Sequence, residues 1–339
     1  MFKNILLTGA AGTVGTPTLI ELINKNYNIR VLEKPLPPQR TYQRKLERFN
    51  KLIKQYSDKI EVHWGDITDY PTVKNAVKDM DAVIHLAAVI PPLSEENPTL
   101  AEKVNINGTE NIINAMKETG VNRLIFTSSV AVYGDRRRSP WIKSTDPLTS
   151  NPPDTYTKTK IQCEKIIESS NLDWTIFRLG AVFIKSFDID FKTFQTALTM
   201  PLDTYLEWIS AEDCAHALVE ALNHPELVDG KYNLGGGAKC RVMFKEFLGR
   251  LLPILGYSNN LLPAEAFETS ISHGGYFNEE ESEWLQKILG HQRTCLEDYY
   301  KTVGKTVNPV RRSFRRFSLT LFKPFIREYI RRRVASNVN

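Results

Sequence analysis

The chain opens with an apolar run, Asn4-Ile5-Leu6-Leu7, that empties directly into Thr8-Gly9-Ala10-Ala11-Gly12-Thr13-Val14-Gly15. Three glycines at three-residue spacing between a strand and an amphipathic stretch leave few folds open. They read as a tight turn that brings a helix N-terminus to the end of the strand. Bare backbone amides at such a turn, together with the helix N-terminus, can receive a pyrophosphate. Gly9, Gly12 and Gly15 fit a tight turn, close pyrophosphate approach and close helix packing, in that order. Ala11, Thr13 and Val14 complete the loop. The same pattern alone would also suit a ligand-free turn, and Glu33 separates the two readings. It stands at the end of the second apolar run, 24 residues after Gly9. A carboxylate there can accept from adenosine ribose hydroxyls and would repel a 2′-phosphate. With Thr13 leaving the loop without a base, NAD is favoured over NADP. Lys34 and Arg40 are the residues that could instead reach a phosphate.

Strand-like runs at 4–8, 28–33, 60–64, 82–86, 123–128 and 174–179 alternate with amphipathic stretches such as Pro17–Lys25, Val73–Lys78 and Thr109–Thr119. This alternation predicts an α/β fold, a Rossmann-type doubly wound parallel sheet with a small C-terminal substrate domain. Residues 1–180 are expected to form the nucleotide-binding domain, its sheet completed by 208–234. Residues 181–207 and 235–304 are expected to form the substrate region, and 305–339 a basic tail. Within these, helices are expected at Ile209–Leu222, 241–256 and 278–303, and a strand at 231–234. Residues 40–56 read as an amphipathic helix turning Leu46, Phe49, Ile53 and Tyr56 to the sheet.

A chain of 339 residues, 42% hydrophobic and 24% charged, has the balance of a globular protein with a large core. No run of about 18 apolar residues predicts a transmembrane helix. The start of the chain leaves no room for a signal peptide, and four scattered cysteines (163, 214, 240, 295) lack metal-ligand spacing. No metal and a cytoplasmic location are the expectation. The net charge of +5 is local: residues 305–339 carry +9 and the remainder −4.

The chemistry gathers at three further positions. Tyr156 and Lys160 are four apart and share a helix face. A tyrosine with a pKa of about 10 is a poor base at neutral pH, and a nearby ammonium and a nicotinamide cation would favour its phenolate. Ser129, after Thr127 and Ser128 at the end of the fifth run, can hold a substrate oxygen during hydride transfer. Asp66 and Ile67 follow the third run, where a carboxylate can accept from an adenine amine. Leu86, Ala87 and Ala88 end the fourth with small residues against which a cofactor can lie. His85 reads as a packed or capping histidine.

Taken together these motifs resemble the extended short-chain dehydrogenase/reductases, the NAD-dependent epimerase/dehydratase family, over roughly residues 3–235. The set comprises Thr8-Gly9-x-x-Gly12-x-x-Gly15, Gly65-Asp66-Ile67, His85-Leu86-Ala87-Ala88, Asn105-x-Asn107-Gly108-Thr109, Ser128-Ser129-x-x-x-Tyr133-Gly134 and Tyr156-x-x-x-Lys160. The resemblance implies NAD as cofactor, Ser129, Tyr156 and Lys160 as the catalytic group, and Asn105 as a support for the active-site helix. Departures narrow the reaction. Sugar dehydratases and sugar-acid decarboxylases carry acids where this chain has Val130-Ala131, which cannot transfer a proton. Nucleotide-sugar epimerases place an Asn where Ala181 stands and a phosphate-gripping Arg near Glu207. The nearer likeness is to hydroxysteroid dehydrogenases and dihydroflavonol reductases. The expected function is therefore hydride transfer between NAD and a secondary alcohol or ketone. A C4 epimerase with tightly held NAD and a catalytically silent NAD-binding protein are the alternatives. The partner is a small-molecule substrate rather than nucleic acid. The stripe Phe322, Phe325, Ile326, Tyr329 and Ile330 beside the tail arginines suits either peripheral contact with an anionic membrane or packing on its own domain or a second subunit of a homodimer.

Overall fold

The computed structural model describes residues 2–35, 40–150, 154–183, 198–258, 264–267 and 273–307, with backbone alone at 40–45 and 266. The strands are β1 (Asn4–Thr8), β2 (Asn28–Glu33), β3 (Ile60–Trp64), β4 (Ala82–His85), β5 (Arg123–Ser129), β6 (Trp141–Ile142) and β7 (Asp173–Leu179). They continue with β8 (Ala181–Phe183), β9 (Tyr205–Ser210), β10 (Gly230–Leu234), β11 (Arg241–Met243) and β12 (Tyr276–Phe277). Seven form one parallel sheet in the order β10-β7-β5-β4-β1-β2-β3. The six runs expected in the first half are strands to within one residue.

Ile5, Leu6 and Leu7 show why β1 is central: all three are fully buried, and successive side chains enter opposite layers. Ile5 and Leu7 pack with Leu19 and Leu22 of the Gly15–Asn24 helix and Ala217 and Leu218 of the Ala211–Glu220 helix. Leu6 joins Val73, Ala76, Ile112 and Met116 on the other face. The Arg40–Gln55 helix covers the first face as expected. Phe49 is fully buried there, and Leu46, Ile53 and Tyr56 pack partly buried beside it.

The second half departs from the sequence reading in three places. Residues 205–210 form β9, and the Ala211–Glu220 helix begins only where the Ser210 hydroxyl caps the Asp213 N–H at 3.0 Å. β9 pairs with β8 and β11 in a separate three-stranded sheet, so β10 alone completes the main one. Residues 241–243 are β11, and the helix that follows spans Phe244–Ile254. The stretch 278–303 is two helices, Glu279–Leu289 and Leu296–Thr306, parted at Gly290. A second core of Phe183, Leu206, Phe244, Phe247, Leu251, Tyr299 and Tyr300 sits between these elements. Among the described residues no helix is long and apolar enough to cross a membrane. The basic stripe between Arg311 and Arg333, most of 181–207 and the Arg40 side chain lie outside the described residues.

Candidate active site

Strand order reverses at β1, which has β2 on one side and β4 on the other, and the glycine loop leaves β1 at that crevice. Gly9 has φ +73°, and a Cβ on it would lie 2.8 Å from the Ala87 nitrogen. A Cβ on Gly15 would meet the Gly9 carbonyl oxygen at 1.9 Å, so the helix starts hard against the turn. The Gly12 N–H donates to the Gly9 carbonyl at 3.0 Å. Val14, at the N-cap of the Gly15–Asn24 helix, makes no side-chain cap bond, and no acidic residue lies in the first turn. That end therefore keeps its positive dipole for an anion. Glu33 Oε2 accepts from the Ala11 N–H at 3.0 Å. Burial raises its carboxyl above the ordinary range, against the opposing pull of backbone N–H groups from Ala11, Ala10 and Lys34. Lys34 does not face the loop: its Nζ pairs with Asp66 Oδ2 at 2.7 Å. Burial works against ionisation of Asp66, but Lys34 and the Thr68 N–H outweigh it and hold the carboxyl low. Ile67 packs against Gly108, and its carbonyl accepts from Asn111 Nδ2 at 3.0 Å.

At the end of β4 the protons can be followed one by one. The Thr109 hydroxyl donates to the Asn105 carbonyl at 2.6 Å, so its oxygen is the acceptor for His85 Nε2 at 3.0 Å. Nδ1 then accepts from the Thr8 hydroxyl at 2.7 Å, and Thr8 Oγ1 accepts from the N–H groups of Leu86 and Ala87. Burial, reinforced by the Lys160 charge, pushes His85 down to about 3. It is a neutral strut that ties β1 to β4, as the sequence suggested.

The Tyr156 pair lies on the Thr155–Glu168 helix. Lys160 is buried, and its Nζ donates to the Thr127 carbonyl at 2.8 Å and lies 4.6 Å over the Phe126 ring and 6.0 Å from the Tyr156 ring. Burial lowers its pKa. Ser129, ending β5, stands beside the Tyr156 phenol and accepts from the Ala131 N–H at 3.2 Å. The three residues read from the sequence as catalytic are thus neighbours. Burial of the Tyr156 phenol pushes it up to about 12, with the neighbouring Ser129 hydroxyl opposing. A phenol so held keeps its proton at neutral pH.

Asn105 lies in a π-helical turn, Glu102–Asn107, and is 2% exposed. Its Oδ1 accepts from the Val89 N–H at 2.7 Å, and its Nδ2 donates to the Val89 carbonyl and to Thr159 Oγ1, both at 3.0 Å. The segment after Ala88 is thereby fastened to the Tyr156 helix. Two residues not singled out from sequence also act here. Asp154 caps that helix through the Thr157 N–H at 3.2 Å, and an Asp immediately before a tyrosine-bearing helix was a readable signal. Glu95 bonds the N–H groups of Thr155 and Tyr156 from a separate turn, and a contact across sixty residues leaves no local pattern.

Away from the crevice, the departures noted in sequence have structural partners. Glu207 is buried and accepts from Arg241 Nε at 2.8 Å, Phe277 N at 3.0 Å and Gly237 N at 3.1 Å. A carboxylate so bound joins β9, β11 and β12 and cannot grip a phosphate. Arg178 is bound to Glu164 at 2.7 Å and to the Tyr133 hydroxyl at 2.6 Å, all three deeply buried. Val130 and Ala131 are buried and carry no proton-transfer group.

The model of the 3-beta hydroxysteroid dehydrogenase/isomerase family matches residues 6–182. The chain is similar to UDP-glucose 4-epimerase 2 of Arabidopsis thaliana, with 30% identity over 185 residues, 53% of this chain and 51% of that protein. It is also similar to the decarboxylating sterol-4-alpha-carboxylate 3-dehydrogenase of Saccharomyces cerevisiae, with 30% identity over 176 residues, 50% of this chain and 46% of that one. The chain spans about half the length of the curated relatives it matches. Among solved structures, a dTDP-glucose 4,6-dehydratase double mutant from Streptomyces venezuelae, with NAD and a second ligand bound, superposes with a TM-score of 0.73. It shares 20% identity, covering 89% of this chain and 95% of that one, a likeness of fold.

Proposed function

The chain belongs to the 3-beta hydroxysteroid dehydrogenase/isomerase family, within the extended short-chain dehydrogenase/reductases that its motifs resemble, and from that premise we propose that it is an NAD-linked oxidoreductase interconverting a secondary alcohol and its ketone. The observation that carries the reading is Ser129 beside the Tyr156 phenol, with Lys160 one turn along the same helix. The glycine loop and the uncapped helix behind it fit a pyrophosphate, and Glu33 at the end of β2 fits a ribose. Residues 1–180 would hold the nucleotide, and 181–207 with 235–304 the substrate. A bound NAD would supply the hydride acceptor or donor. Ser129 orients the substrate oxygen. In the oxidative direction Tyr156 takes the hydroxyl proton as hydride leaves the carbinol carbon, and in the reductive direction it returns that proton to the carbonyl oxygen. Lys160, anchored on the Thr127 carbonyl, favours the phenolate and offers a donor to the nicotinamide ribose.

Tyr156→Phe keeps the ring and removes the proton-transfer group. NADH formation from a panel of secondary alcohols, hydroxysteroids among them, is expected to fall on the order of 10²–10⁴-fold. Turnover retained in that variant removes the mechanism. A nucleotide-sugar 4-epimerase is the second reading, favoured by the 30% identity to the Arabidopsis protein and opposed by the carboxylate of Glu207. Protein that purifies with NAD and is inert to added NADH would support it. For the tail, Arg clusters among Phe, Leu and Ile fit a peripheral anchor on an anionic bilayer, bringing the site to a lipid-soluble substrate. Full-length protein is expected to sediment with phosphatidylserine vesicles at low salt while a chain ending at Gly304 stays in solution. Equal behaviour of the two rejects the anchor.

A further inference from the structure

The first N–H groups of the Thr155–Glu168 helix are taken by two carboxylates from different places. Asp154 is the ordinary N-cap, accepting from the Thr157 N–H at 3.2 Å. Glu95 comes from the short helical turn Leu93–Glu96, and its two oxygens divide between adjacent amides. Oε2 accepts from Thr155 N at 2.9 Å and Oε1 from Tyr156 N at 3.0 Å. A helix already capped by its own neighbour does not need a second carboxylate to begin. This one grips the peptide units on both sides of the Thr155 Cα, immediately before the phenol. Its own turn is held firmly: Ser94 is fully buried, Asn97 Oδ1 caps Leu100 N at 3.0 Å, and Val89 is fixed by Asn105.

We propose that Glu95 is a positioning residue for the reaction, fixing the backbone at Tyr156 and so setting where its hydroxyl points. The proposal rests on Tyr156 being the proton-transfer residue. The lever is long: a helix rotation of ~10° swings a hydroxyl ~6.5 Å from its Cα by ~1 Å, a displacement that costs ~10²-fold in rate. Around the phenol stand Lys160 and Cys163 on its own helix, Ser129 on β5, and Asp154 with His273 Nε2 2.7 Å beyond it. Glu95 places a carboxylate at the Tyr156 N–H, and a negative charge there disfavours a phenolate on the same residue.

Glu95→Gln keeps the shape but offers one acceptor and turns an NH2 toward the other amide, whereas Glu95→Asp keeps both acceptors on a shorter arm. With NADH formation from a 3β-hydroxysteroid as the assay, the Gln variant is expected to lose about 10–100-fold in kcat with the KM for NAD within about 3-fold, and Asp to recover part of it. A second readout needs no turnover. In protein labelled with ¹³Cζ-tyrosine and saturated with NAD, the Tyr156 resonance, identified by its loss in Tyr156→Phe, should titrate at lower pH in Glu95→Gln, by on the order of half a unit. Unchanged kcat and an unchanged Tyr156 midpoint would make Glu95 a helix cap and nothing more. Loss of NAD binding together with kcat would assign it to the fold at large, and would equally overturn the proposal. Turnover retained in Tyr156→Phe strikes instead at the reading beneath it.

Discussion

Glu33 and Lys34 are adjacent in sequence and face different tasks. Lys34 is committed to Asp66 at 2.7 Å, which occupies a cation that could otherwise receive a 2′-phosphate. Glu33 holds the glycine loop through Ala11 and leaves a carboxylate where that phosphate would sit. A phosphate beside it would bring two negative charges together in a partly buried place. NAD is therefore expected to bind more tightly than NADP, by about 10-fold or more, a difference of about 1.4 kcal/mol. Dissociation constants from tryptophan fluorescence titration check this, and the reverse order would mean that another base has captured the phosphate. At this scale the sequence located the groups but not their partners. Glu33, Asp66 and His85 were legible from their places at strand ends. The Lys34–Asp66 pair and the proton order through Thr8, His85 and Thr109 depend on strands meeting, which no local pattern records.

Among elements, legibility follows periodicity. The main-sheet strands are buried on both faces and read as short apolar runs, so their limits were clear. The sequence from 205 onward misleads because β9 passes into a helix without a break in hydrophobicity. The boundary is set by one hydroxyl, Ser210, capping Asp213. Likewise the run from 278 looks continuous in composition, although Gly290 ends one helix and Cys295 with Asp298 begins another through a capping box. The site divides in the same way. Tyr156 and Lys160 share a helix and were found by spacing, whereas Glu95 belongs to the same constellation only through tertiary contact.

For the whole molecule, buried histidines link stability to acidity. Burial, with the Lys160 charge, holds His85 at about 3, and burial holds His291 at about 4. Both lie below the ordinary value of about 6.5, so each is neutral in the fold but takes a proton on unfolding. Their stabilisation is complete above about pH 6.5 and is lost as the pH falls toward the folded values, by roughly 2 kcal/mol per histidine at pH 5. Glu33 and Glu207, raised by burial, run the other way and soften the slope. Urea unfolding at pH 7 and pH 5 should show the loss, and His85→Gln should flatten it. Equal slopes in the two proteins would mean that His85 is protonated in the fold.

The sheet also dictates an order of assembly. β1, an interior strand, precedes both of its partners in the chain. β1 finds β2 after 24 residues, since Asn4 pairs with Asn28, but its other neighbour arrives only when Ile5 can meet Ala82. At the far edge Gly230 must return to Thr175. Parallel pairing over such separations closes large loops before any contact compensates for them, which makes folding slow. Through that interval Ile5, Leu6 and Leu7 wait unsheltered, and a segment that ends fully buried is, in the nascent chain, exposed to aggregation until Ala82 arrives.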